Sequence, residues 1–222
     1  HVRRLSTGTH DPLLASALVL TCNGVTQAQV ALDLLMLDPP TAREIRRRAA
    51  AALGTEERQV FISCTHTHSG PVTTPIFGWT GDVAAPAPDR DYLEFLKDRV
   101  VRNVRVAASR QHPATVAWTT AHVTGVGCNR HDPAGVTDPE VGILAVCDAT
   151  TGSGMAAVTV YGMHPTVLHE DSTLVSADFP YFARCVLLER FGPGLVVLYH
   201  NGPCVNQSPR YHVRHQTLAE AE

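Results

Sequence analysis

The chain reads as an α/β fold, a layered mixed β-sheet with flanking helices, expected as one domain over residues 1–222. Three observations predict it. Short apolar runs of strand length alternate with longer segments of helical periodicity. Asn23-Gly24 between two such runs is a hairpin signal, so the sheet is not purely parallel. The composition is ordinary for a globular protein, with 44% hydrophobic and 18% charged residues.

Leu13 to Thr21 and Gln29 to Leu37 are the apolar runs on either side of that turn, and they predict an antiparallel pair. Thr41 is the expected N-cap of an alanine-rich helix through Leu53, closed by Gly54. Val60 to Cys64 is a buried strand. Thr73 to Pro88 is rich in Gly, Pro and Thr and reads as a long loop of the kind that often lids a site. Its Phe77 and Trp79 either pack the loop down or line a pocket mouth. Asp91 to Ala108 is an amphipathic helix, with Tyr92, Leu93, Leu96, Val100 and Val104 at helical spacing.

Thr115 to Thr124, Val141 to Cys147, Met155 to Tyr161 and Leu195 to Tyr199 are strands, and Phe179 to Phe191 is a helix stopped by Gly192-Pro193-Gly194. Tyr211 to Glu222 carries no strong core signal.

Composition excludes some functions. The net charge is -3, and the longest basic block is Arg46-Arg47-Arg48 within a helix, so no nucleic acid partner is indicated. No apolar run approaches the roughly 18–20 residues of a bilayer span; peripheral contact with a membrane stays open. Residues 1–14 lack the apolar core of a signal peptide. The six cysteines form no CxxC pair, which argues against a thiolate zinc site. Cys64, Cys147 and Cys185 lie in apolar segments and read as small core residues.

The chemistry gathers after the strands. His66 and His68 follow Val60–Cys64 and would share a face if the extended geometry continued. Asn129-Arg130-His131 follows Gly125-Val126-Gly127, Met163-His164-Pro165-Thr166 follows a strand, and Asn201 to Arg210 follows another. Active sites of α/β proteins collect where strands hand over to loops.

His66 and His164 are candidate ligands of one zinc ion, and His68 is either a third ligand or a base beside the bound water. Zinc lowers the pKa of its water to about 7, which yields a nucleophile at neutral pH. Arg130 can hold a substrate oxygen or an oxyanion through its planar fork. Ser208 is either a hydrogen-bond donor or nucleophile, or a structural serine of a proline-containing loop. His10, His112, His122, His169, His200, His212 and His215 read as surface or packing residues, and the loop of His169, Glu170 and Asp171 has only a weak claim on the site. Asp178, just before a helix, reads as its cap rather than as a catalytic group.

These residues carry a resemblance. Thr65 to Pro71 (THTHSGP), Asn129-Arg130, Met163 to Thr166 (MHPT) and Ser176 to Asp178 (SAD) occur in this order in the neutral, non-lysosomal ceramidase family. His10-Asp11-Pro12-Leu13, followed by Ala17 to Leu20, is similar to that family's start.

The resemblance covers nearly the whole chain. It implies that His66 and His164 bind a catalytic zinc, with His68 and Arg130 in the catalytic surroundings. It implies hydrolysis of the amide of an N-acyl sphingoid lipid such as ceramide, releasing a fatty acid and a sphingoid base, and a secreted or periplasmic location. The family's GDVSPN-like stretch corresponds here to Cys204 to Arg210, where Val205-Asn206 replaces Gly-Asp while Ser208 and Pro209 remain. The glutamate and tyrosine that complete the family's zinc site lie further along and have no match here. The chain therefore reads as the N-terminal part of a longer enzyme or as a shortened relative. The alternatives are a zinc hydrolase of another amide or ester, and a catalytically silent fragment.

Overall fold

The structure is a computed structural model that describes residues 5–75, 87–168 and 172–222. Phe77, Trp79, His169, Glu170 and Asp171 lie outside the described residues. In chain order the elements are β1 (Gly8–Thr9), β2 (Ala15–Cys22), β3 (Val25–Leu32), α1 (Pro39–Leu53), β4 (Val60–Cys64), α2 (Arg90–Ser109), β5 (Ala114–His122), β6 (Cys128–Asn129), β7 (Glu140–Asp148), β8 (Gly154–Tyr161), β9 (Leu174–Val175), α3 (Phe179–Phe191), β10 (Val196–Asn201), β11 (Gln207–Ser208) and α4 (Leu218–Ala221).

The strands form two larger mixed sheets rather than one. In the first, β2 pairs antiparallel with β3 across the Asn23-Gly24 turn, and β3 pairs parallel with β4. In the second, the order is β10-β8-β7-β5, with β10 and β8 parallel and the other pairings antiparallel.

The two-residue period of β3 explains the layering. Ala28, Val30 and Leu32 pack with Ile45 and Ala49 of α1 and Leu96, Val100 and Val104 of α2. Ala31 points the other way and meets Val158 of β8 and Leu198 of β10, joining the two sheets. On the far side of the second sheet, Tyr161, Met163 and Tyr199 pack with Phe179 of α3. The layers therefore run helices, sheet, sheet, helix. A one-residue slip in β3 would turn its helix-facing set onto the other sheet, so burial on both faces fixes the register.

Three sequence expectations need correction. The second hairpin strand ends at Leu32, not Leu37: Asp33 N still donates to Leu14 O in register, and Leu34 N then turns back onto Leu32 O, which takes the chain out of the ladder. The N-cap of α1 is Asp38, whose carboxylate accepts from Thr41 N at 2.8 Å. Pro39 and Pro40 occupy the first helical positions, where a missing N–H costs nothing. Thr41 is instead a buried residue of the helix. Among the cysteines, Cys204 is the buried one, while Cys64, Cys147 and Cys185 are half-buried; all six are free thiols.

Candidate metal centre

The extended geometry does not continue through the two histidines. β4 stops at Cys64, and His66 adopts φ 72°, a left-handed conformation that costs a non-glycine residue roughly 1–2 kcal/mol. Thr65 N donates to Leu32 O and His66 N to Leu34 O, so the chain follows the 33–35 segment as that segment departs from the sheet. His66 and His68 therefore meet through a bend, not through the alternation of a strand.

Their rings lie 5.2 Å apart between centroids. His164, reached three residues after β8, places its ring 4.8 Å from His66 and 5.9 Å from His68. One ligand nitrogen from each of the three imidazoles lies within 4.8 Å of the others.

Two of the rings are anchored from behind. His66 Nδ1 donates to Leu35 O at 2.9 Å, and His164 Nδ1 donates to Cys204 O at 2.8 Å. A carbonyl only accepts, so each neutral ring carries its proton on Nδ1 and its lone pair on Nε2. That is the usual arrangement of a metal-binding histidine, whose second nitrogen is oriented by an outer partner. Burial pushes the His164 pKa below the ordinary imidazole value. The bond to Cys204 O opposes this, and the charges of His66 and Arg130 add to it. A neutral His164 is the ligating form.

The three side chains fit a divalent cation of the zinc class, which takes imidazole nitrogens. Their nitrogens, all within 4.8 Å of one another, would hold such an ion between them. His68 is exposed, and His164 is 5% exposed.

The other clusters arrive by way of a short antiparallel pair. β6 and β11 align Asn129 with Gln207 and Cys128 with Ser208, and Arg130 N donates to Asn206 O at 2.7 Å. Arg130 lies close enough for its charge to act on His164, and its buried Nε has no partner among the described residues. Gln207 O accepts from His164 N at 3.0 Å, so the same short strand also holds the third histidine.

The packing here is close. A Cβ on Gly127 would lie 2.5 Å from the Met163 side chain and 2.9 Å from Ser208 O, which explains glycine in the Gly125-Val126-Gly127 approach. Ser208 is buried, and its Oγ accepts from Arg210 N at 3.3 Å; no hydrogen bond joins it to His66 or His164.

Asp178 is the cap of α3. Its carboxylate accepts from Phe179 N and from Leu168 N, each at 2.7 Å. Burial pushes its carboxyl up to about 6.

One structural pair escaped the sequence reading. Arg184 of α3 holds both oxygens of Asp33 at 3.0 and 2.9 Å, 151 residues apart, directly before the Leu34 and Leu35 carbonyls that serve His66. Nothing local in the sequence marks that pairing. The Leu35 and Cys204 carbonyls leave no sequence signal either, since any residue type supplies one.

The profile of the neutral/alkaline non-lysosomal ceramidase family, N-terminal part, matches residues 1–191. The chain belongs to that family. Two solved ceramidases share its fold. One, described as a ceramidase complexed with C2, superposes with a TM-score of 0.83 at 20% identity. The match covers 96% of this chain and 36% of that one. The other, neutral ceramidase from Pseudomonas aeruginosa, gives a TM-score of 0.79 at 22% identity, covering 90% of this chain and 34% of the other. This chain thus spans about a third of the length of these ceramidases. Among its described residues, no helix is long and apolar enough to cross a membrane.

Proposed function

We propose that this ceramidase-family chain serves zinc-dependent hydrolysis of an N-acyl sphingoid lipid, giving a fatty acid and a sphingoid base. The observation that carries the reading is the convergence of His66, His68 and His164, with two of the three rings oriented by backbone carbonyls. His66 and His164 would hold the ion through Nε2, since Nδ1 of each is bonded to a carbonyl. When bound, zinc supplies Lewis acidity, polarising an amide carbonyl and lowering the pKa of water to about 7.

His68 is the exposed member of the three, which suits a base that meets solvent and substrate. A ring nitrogen of His68 takes a proton from the attacking water and returns it to the leaving amine nitrogen. The Arg130 guanidinium, close enough for its charge to act on His164, is the donor for the oxygen that gains charge as the amide carbonyl becomes tetrahedral. Ser208 serves the loop rather than the bond being broken.

A lipid substrate needs apolar surface, and a pocket of ≈460 Å³ opens between the second sheet and α3, lined by none of the three histidines and linked to them through Met163. Met163, the neighbour of His164, lines it with Val123, Val141, Tyr161, Phe179 and Tyr199. That volume lies within the usual range for ligand pockets, roughly 300–1,000 Å³.

Turnover of N-acylsphingosines by the full-length, zinc-loaded protein tests the reading, with short acyl amides in parallel. Long-chain substrates are expected to be hydrolysed, and Arg130→Ala to lower kcat by about 10²–10³-fold while zinc stays bound. Hydrolysis confined to short amides refutes the lipid assignment. Full activity in Arg130→Ala refutes the role of the guanidinium.

A further inference from the structure

The bend that presents His66 and His68 does not hold itself. His66 is at positive φ, and the residues on either side of His68 are fixed from outside. Thr67, which is fully buried, donates from Oγ1 to Ser176 O at 2.8 Å, and Ser69 N donates to Thr67 Oγ1 at 3.2 Å. Ser176 N donates to Ser69 O at 3.0 Å. The backbone of Ser176 therefore grips the histidine bend on both sides of His68.

Ser176 is fixed in turn by Asp11. Its Oγ donates to Asp11 Oδ1 at 2.5 Å, and Ala177 N donates to Asp11 Oδ2 at 2.9 Å. Asp178 N donates to Ser176 Oγ at 3.0 Å, and the Asp178 carboxylate takes Leu168 N, four residues beyond His164. Ser69 Oγ closes the link by donating to Leu168 O at 3.4 Å.

The 176–178 segment thus touches both arms of the histidine cluster. Asp11 reaches it along a strap: β1 pairs with β9, and His10 N donates to Val175 O at 2.9 Å. Asp11 is 1% exposed and Ser176 0%, so neither meets substrate. A buried carboxylate is costly unless donors satisfy it. Here Ser176, Ala177 and His10 Nδ1 supply them.

We propose that Asp11 and Ser176 are positioning residues that set the spacing between the His66/His68 bend and His164. The proposal rests on the metal-centre reading above. Residues that orient metal-binding histidines typically change affinity by 10–100-fold when removed.

Cobalt(II) titration of the metal-free, full-length protein, followed by its visible absorption band, tests this in wild type, Ser176→Ala, Ser176→Thr and Asp11→Asn. Far-UV circular dichroism and the thermal midpoint report folding in the same samples. Ser176→Ala and Asp11→Asn are expected to bind cobalt about 10–100-fold more weakly, with a shifted band and an unchanged dichroism spectrum. Ser176→Thr keeps the hydroxyl and is expected to recover affinity and band.

Equal affinity and an identical band in all four proteins would overturn the proposal while leaving the metal centre intact. Variants that lose dichroism and cobalt together would make the pair structural, which also overturns it. A wild type that binds no cobalt overturns the metal-centre reading itself and the proposal with it.

Discussion

His164, just past β8, and His200, within the neighbouring β10, look alike by most local measures. His164 follows β8, while His200 lies within β10 and pairs with Val160 of β8. They are 5% and 4% exposed. Each is hydrogen-bonded through Nδ1, His164 to Cys204 O at 2.8 Å and His200 to Ser63 Oγ at 2.5 Å. Burial lowers the pKa of both, that of His200 to about 4.

Their surroundings differ. His164 faces two more imidazoles, whereas His200 packs against the Phe61 ring at 5.3 Å and buries an Nε2 that has no partner among the described residues. Burial and a depressed pKa therefore do not make a site by themselves. What separates the two is whether a ring nitrogen meets others across the loops that leave the strands.

The comparison breaks most visibly under paired substitution. In the full-length protein, His164→Ala is expected to lower hydrolysis of N-acylsphingosine by more than about a thousandfold. His200→Ala is expected to keep kcat within about threefold and to cost about 2–3 kcal/mol of stability, through the cavity and the stranded Ser63 hydroxyl. Similar kinetic losses in both variants, measured on folded protein, would erase the distinction.

A second test approaches from the His66 side. Arg184→Leu leaves Asp33 buried without its cation, next to the carbonyls that serve His66. Urea unfolding should show a loss of about 3–5 kcal/mol. The double variant Asp33→Asn/Arg184→Leu should recover part of it, since no bare charge remains. A loss under 1 kcal/mol in the single variant would mean that the pair is not the support described.

The smallest effect is in pH. Between pH 6.5 and about 4 the unfolded chain takes up a proton that buried His200 refuses. The stability associated with His200 is thus complete above 6.5 and falls away as the pH drops to about 4. Asp178 acts with the opposite sign. Its carboxyl is raised from 3.8 to about 6, so its contribution is full below 3.8 and is lost as pH rises through 6. His200→Gln removes the first dependence and leaves the second. Relative to wild type, its stability should shift by about 2–3 kcal/mol in favour of pH 4.5 over pH 7. Parallel stability curves for the two proteins would place His200 in contact with water.

Much of this architecture was legible in the chain. The helix over Phe179–Phe191 follows from an apolar run set between a capping acid and Gly192, and the strand over Val60–Cys64 from a short apolar run of strand length. Asp178 was legible as a cap for the same local reason. The clusters after the strands pointed to His66 and His164 because strand ends are where side chains of distant segments can meet.

What was not legible depends on distant partners. No local pattern places His66 at positive φ, since the bend is imposed by Leu34 and Ser176. Asp38 and Thr41 are both good capping residues, and the choice falls on Asp38 because two prolines follow it. The division into two sheets depends on which face of β3 meets which layer, and a short apolar run does not encode that by itself.

The metal content of the purified protein tests the central claim most directly. Wild type and His200→Ala should each carry close to one zinc per chain by elemental analysis, and His164→Ala none. Metal-free wild type that still hydrolyses its substrate, or zinc retained in full by His164→Ala, would contradict the account.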